Sequence, residues 1–134
     1  MTEIIIDATN ATLGRLCSYV AKQALQGKKI IVLNSERAIV TGRKEATVKE
    51  YLEKKQRGGT SQRGPFYSKQ PVKILKRTIR GMLPDFRIGR GKEAFKRVLC
   101  YKGVPDEYKE AKTIKAGKEK HTHYMNIEQI SKKI

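Results

Sequence analysis

A chain of 134 residues has room for one hydrophobic core and not comfortably for two, and its 38% apolar content is that of a folded protein. A net charge of +17 makes such a body repel itself unless counterions or a polyanion compensate, so RNA, DNA or an anionic membrane lead the partner classes. No apolar run approaches the roughly 18 residues of a membrane span, MTEIIID has neither the basic stretch nor the apolar core of a leader, and two scattered cysteines exclude a disulfide framework, so a cytoplasmic protein with Cys17 and Cys100 as buried free thiols is expected.

In chain order, EIIID at 3–7 is an apolar run bounded by charges, the pattern of a strand buried on both faces. Leu13, Leu16, Cys17, Val20, Ala21 and Ala24 then recur at helical spacing, with Thr12 as N-cap and Gly27 closing the helix. IIVL at 30–33 completes a βαβ unit, whose strands should be parallel. AIVT at 38–41 predicts another short strand, and GRKEATVKEYLEKK a second helix capped by Thr41. Residues 57–70, RGGTSQRGPFYSKQ, change to a glycine-rich composition without acids, which predicts a long basic loop.

A helix over 71–83 follows, ended by Gly81 and Pro84. At about 100° per residue, Val72, Leu75, Ile79, Met82 and Leu83 share one arc while Lys73, Lys76, Arg77 and Arg80 fill the next, with no acid among them. The bend DFRIGRG leads to a short helix, KEAFKR, and a strand, VLCY, at 98–101. Beyond it the chain is polar and lysine-rich until a C-terminal strand and helix over 122–134, where Asn126 and Gln129 have the spacing of a capping box and Ile127, Ile130 and Ile134 can dock. No internal repeat interrupts this single domain.

The charge is unevenly spread: residues 41–103 hold 18 basic and 5 acidic side chains, whereas the segments before and after each carry a net +2. A polyanion-facing surface should therefore be built from the middle of the chain. Its strongest constellation is Lys73, Lys76, Arg77 and Arg80 with Arg87, Arg90, Lys92, Lys96 and Arg97, since guanidinium forks suit phosphate oxygens and lysines act as mobile point charges. TGRK at 41–44 delivers Arg43 and Lys44 to a helix N-terminus, a pattern shared by phosphate contacts and by ordinary caps with surface cations. In the loop, Arg57 and Arg63 accompany Phe66 and Tyr67, rings that either stack on unpaired bases or pin the loop to the domain.

Enzyme signals are poor. GRGKEA at 89–94 fits a relaxed dinucleotide pattern but no strand immediately precedes it, and the first βα turn, DATNATLGR, lacks the glycine fingerprint. His121, His123 and the two cysteines meet no metal-ligand spacing, and no nucleophile, base and orienting group can be assembled. Neither a cofactor nor a small-molecule substrate is expected.

The phrases IDATNATLGRL, VLNSERAIVTGRK, RGPFY, KRTIRGMLP and GKEAFKRVLCYKGVP, in that order between about Ile4 and Pro105, resemble successive signatures of the L-thirteen family of large-ribosomal-subunit proteins in their archaeal and eukaryotic form. The resemblance implies a three-layer α/β/α sandwich around a small, mainly parallel four-stranded sheet. It further implies large-subunit rRNA and neighbouring ribosomal proteins as partners, an early role in subunit assembly, and a monomer within the ribosome that neither contacts a membrane nor catalyses a reaction. By position it carries Thr41, Gly42, Arg43 and Lys44, and Lys76, Arg77, Arg80, Gly81 and Pro84, into the RNA-facing part of the fold. Residues 106–120 match no family pattern. An RNA-binding regulator outside the ribosome is the alternative function.

Overall fold

The computed structural model describes residues 3–57, 67–116 and 123–134. In chain order the elements are β1 (Glu3–Asp7), α1 (Leu13–Leu25), β2 (Lys29–Leu33), β3 (Ile39–Thr41), α2 (Lys44–Gln56), α3 (Pro71–Met82), α4 (Gly89–Lys96), β4 (Val98–Cys100), β5 (Ile114–Lys115), β6 (Tyr124–Asn126) and α5 (Ile127–Lys133). Short 3₁₀ turns lie at Ser35–Arg37 and Asp106–Tyr108.

The βαβ unit forms as its pattern dictates. Thr12 stands at the N-cap of α1, all six periodic apolar residues are buried, and Gly27 leaves the helix at φ 92°, a left-handed conformation that carries no steric penalty without a Cβ. β1 and β2 pair in parallel, Ile4 opposite Ile30 and Ile6 opposite Val32. The sheet then extends on both sides in the order β4-β2-β1-β5, every pair parallel. Helices pack around it as the layers of an α/β/α sandwich, α1 against α3 and α4, and α5 against α2 and α3.

Membership of the sheet differs from expectation. The strand at Ile39–Thr41 is present, yet it pairs antiparallel with β6 in a separate two-stranded ribbon, Val40 opposite Met125. The cause lies just after β2, where Asn34 takes a left-handed φ of 56° and the 3₁₀ turn redirects the chain before Ile39. The fourth strand is β5, from the segment that fitted no family pattern. It is only two residues long and reaches only Ile6 and Asp7, so Ile4 and Ile5 of β1 stay half-buried instead of being covered on both faces, while Ile30 to Leu33 of β2 are fully enclosed.

Three helix boundaries also move. α2 begins at Lys44 with Arg43, not Thr41, as its N-cap, because Gly42 at φ 121° turns the chain and gives its N–H to the His123 carbonyl at 2.9 Å. α4 starts at Gly89, so all of GRG belongs to the helix and not to the bend before it. Gly81 is helical, and α3 ends one residue later, before Leu83 and Pro84. At the C-terminus the capping box of Asn126 and Gln129 is formed, and Ile127 and Ile130 are completely buried. Cys17 is fully buried and Cys100 partly so, both as free thiols.

Candidate nucleic-acid interface

Pro71 opens α3 at a position where its missing N–H costs no hydrogen bond. The helix is seated by Ile74, Leu75 and Ile79, continued by Leu83. Ile74 falls outside the predicted apolar arc, and Met82, placed inside it, is 43% exposed at the uncovered end of the helix. Including Ile74 centres the buried arc of the helix, Ile74, Leu75 and Ile79, about 160° from the arc of Lys73, Lys76, Arg77 and Arg80. Packing thus leaves Lys73 exposed and Lys76, Arg77 and Arg80 half-buried on the flank of the helix that the core does not cover.

Aromatic rings fix the direction of that charge. The Arg77 guanidinium lies 3.5 Å from the centre of the Tyr67 ring, Arg80 and Arg87 lie 4.6 and 5.4 Å from Phe86, and the Lys76 ammonium lies 5.3 Å from Phe95. Phe86 and Phe95 meet edge to face, centroids 6.3 Å apart at 73°, joining the turn before α4 to the helix itself. Among the described residues no carboxylate forms an ion pair with these four cations or with Lys73, Arg90, Lys92 or Lys96. A ring beneath a cation restrains it without neutralising it, so the face keeps its full positive charge.

A cleft of about 550 Å³ opens beside α3. Tyr51 and Lys54 from α2 and Phe95 from α4 face Lys73, Arg77 and Arg80 across it. Tyr51 packs against the core, and burial, with Glu50 nearby, pushes its phenol above the ordinary range and keeps it neutral.

The predicted residues divide between two places. Lys73, Lys76, Arg77 and Arg80 line the cleft, Arg87, Arg90, Lys92 and Lys96 extend the charge along the turn and α4, and exposed Arg57 caps the end of α2 that carries Tyr51 and Lys54. Arg43 and Lys44 sit at the other end of that 13-residue helix, about 20 Å away. Their local hydrogen bonding is internal, with the Thr47 hydroxyl and N–H both donating to the Arg43 carbonyl at 3.0 Å. Arg63 and Phe66 lie outside the described residues, as does His121.

Arg97 does not belong to the basic face. Its guanidinium donates to the Ala24 carbonyl at 3.0 Å and approaches Glu93 at 3.7 Å, with a quarter of the side chain exposed. Conversely, Tyr51, Phe86 and Phe95 were not singled out from the sequence. The pairs Phe86–Arg87 and Phe95–Lys96 carry the same ring-and-cation signal that was noticed only in the loop, but their convergence depends on how α3 and α4 fold together.

Among the described residues no group of three His, Cys, Asp or Glu side chains could hold a metal, and no helix is long and apolar enough to cross a membrane. The family model described as Ribosomal protein L13 matches residues 1–107. The large ribosomal subunit protein uL13 of Methanopyrus kandleri is 50% identical over 107 residues, covering 80% of this chain and 66% of that protein. Its counterparts in Methanosarcina barkeri and Archaeoglobus fulgidus are 49% and 44% identical, covering 82% and 77% of this chain and 78% and 65% of their own lengths. The chain therefore spans slightly less than two thirds of the Methanopyrus and Archaeoglobus proteins.

Proposed function

Given that this chain belongs to the ribosomal protein L13 family, we propose that it is a non-enzymatic, cytoplasmic constituent of the large ribosomal subunit that binds rRNA through the face built by α3 and α4. One observation carries the reading: a row of cations is turned outward by a packed helix, held by rings and left without carboxylate partners among the described residues. Such a surface suits phosphates brought close together where rRNA segments meet. It holds them by neutralisation and shape without reading base edges in a helical groove, because the deep, narrow major groove of A-form RNA is closed to side chains. A protein that relieves phosphate repulsion at a junction acts best early in subunit assembly, as a monomer beside other large-subunit proteins. Arg43 and Lys44, about 20 Å from Arg57 along α2, would hold a separate stretch of backbone.

Sucrose-gradient sedimentation tests this. The chain should travel with large subunits at constant stoichiometry through a high-salt wash, and Lys73→Gln/Arg77→Gln/Arg80→Gln should reduce incorporation while the free protein stays folded. Recovery of the wild type only in the soluble pool would replace this reading with a regulator acting outside the ribosome.

A further inference from the structure

We propose that the cleft between α2, α3 and α4 receives one unpaired nucleotide of the bound RNA, its base against the rings of Tyr51, Tyr67 and Phe95 and its phosphate on Lys73, Arg77 and Arg80. The inference rests on the RNA-binding reading above and assigns this recess a task that phosphate neutralisation alone does not require. At about 550 Å³ the cleft is in the range of sites that enclose small ligands, roughly 300–1,000 Å³, and far too small for a duplex.

The lining matches a nucleotide in both its parts. Rings and an aliphatic wall at Ile74 offer apolar planes, whereas Lys73, Lys76, Arg77 and Arg80, none ion-paired with a carboxylate among the described residues, supply the charge; Lys54, also in the lining, is engaged by Glu50 at 3.2 Å. An acidic peptide would use the cations and leave the rings without a partner, and an apolar peptide would leave the cations desolvated. The Arg77 guanidinium lies over the Tyr67 ring at 3.5 Å from its centre, and neither residue is fully covered. Bases extracted from RNA stack on such rings and guanidinium planes. Tyr51 lines the same space while it packs against the core, which makes it a rigid part of the cleft wall.

The test compares binding of the full chain to two 12-mers of equal charge, one of adenosine and one of abasic ribose phosphate, by fluorescence anisotropy at a single salt concentration. Base stacking predicts that the adenosine strand binds about 5- to 150-fold more tightly. Tyr67→Leu, outside the core and outside any helix or strand, should weaken the adenosine strand more than the abasic one and so remove much of that preference, with Phe95→Leu as a second variant. Lys92→Gln, outside the cleft, should weaken both strands equally. Equal, tight binding of both strands by the wild type would overturn the nucleotide site and leave the RNA-binding reading intact. Absence of binding to either would sink both. Competition by deca-glutamate that matches the adenosine strand, and weakens with Tyr67→Leu, would give the cleft to an acidic protein segment and overturn the proposal.

Discussion

Arg97 reaches across 73 residues to cap the last turn of α1 through the Ala24 carbonyl, a group that also accepts the Gly27 N–H at 3.1 Å. Carbonyls at a helix C-terminus lack intrahelical donors and carry partial negative charge, so a guanidinium held there neutralises both deficits. This bond ties the end of the crossover helix to the entry of β4. Replacing Arg97 by Gln should cost about 1–2 kcal/mol in chemical denaturation. Arg90→Gln, on an exposed position of α4 with no ion-pair partner among the described residues, should change stability by no more than about 0.5 kcal/mol. Equal losses from the two variants would contradict the division into structural and ligand-facing cations.

The outward charge of α3 predicts a specific salt response. If Lys73, Arg77 and Arg80 each neutralise one phosphate of single-stranded RNA, their replacement by Gln should make the slope of log affinity against log salt shallower by about 2. Stability should fall only modestly, by about 0.5–1 kcal/mol for each of Arg77 and Arg80, because those two also lose their contacts with Tyr67 and Phe86. An unchanged slope with weakened binding would indicate that the helix acts through shape and not through phosphate contact.

Two glycines only ten residues apart should respond oppositely to alanine. A Cβ at Gly91 would lie 2.4 Å from the main-chain oxygens of both Pro84 and Asp85, whereas at Gly81 nothing lies within 4 Å and the backbone is helical. Gly91 therefore permits the close packing of α4 against the turn that follows α3, the packing that brings Phe95 to Phe86. Gly91→Ala should destabilise by about 1–3 kcal/mol or more through backbone overpacking. Gly81→Ala should stabilise by up to about 1 kcal/mol through the entropy of the unfolded chain. Thermal unfolding of the two variants beside the wild type checks both signs.

That corner also shows what was legible in the sequence and what was not. The βαβ unit, the cationic arc of α3 and the capping box at Asn126 rest on contacts close in sequence or on simple periodicity, and all three stand in the structure. The place of Ile39–Thr41 was not legible, since strand propensity is the same in a main sheet and in a ribbon and the decision falls to the left-handed Asn34 outside the strand. β5 was invisible because two residues have no periodicity. Among the cations, Arg97 and Lys96 are neighbours with the same charge, and only the tertiary path decides that one meets a helix end and the other solvent.

Acid should loosen the end of β1. Burial would raise the Asp7 carboxyl, but hydrogen bonds from the Thr9 hydroxyl and N–H and from the Asn34 amide, together with Lys115, outweigh it and hold the group below the ordinary aspartate range. A depressed folded-state pKa contributes stability that is present above the unfolded value of about 3.9 and is lost as pH falls through the folded value. Asp7→Asn should therefore be less stable than the wild type at pH 7, and the gap should narrow as pH falls below about 4. A gap independent of pH in urea denaturation would assign Asp7 a purely geometric role.

At the alkaline end the two thiols act with the opposite sign. Burial pushes Cys17 far above the usual thiol range, with Cys100 adding to it, and lifts Cys100 to about 12 despite the nearby Lys76. The folded state thus refuses a proton loss that the unfolded chain accepts near pH 8.5–9, so stability is complete below that value and drains away as pH rises toward the folded values. Cys17→Ala/Cys100→Ala removes this drain along with some packing. It should start less stable than the wild type at pH 7, as expected of any shortened core side chain, and lose less between pH 8 and 10. In the native wild type at pH 8, a thiol-specific disulfide reagent should modify Cys17 no faster than the protein opens, because the thiolate it needs is scarce and the sulfur is enclosed. Labelling of Cys17 at the rate of a free thiol, with the fold intact by circular dichroism, would show that the space between α1 and α3 opens locally, and the rigid seating that directs the α3 cations would no longer hold.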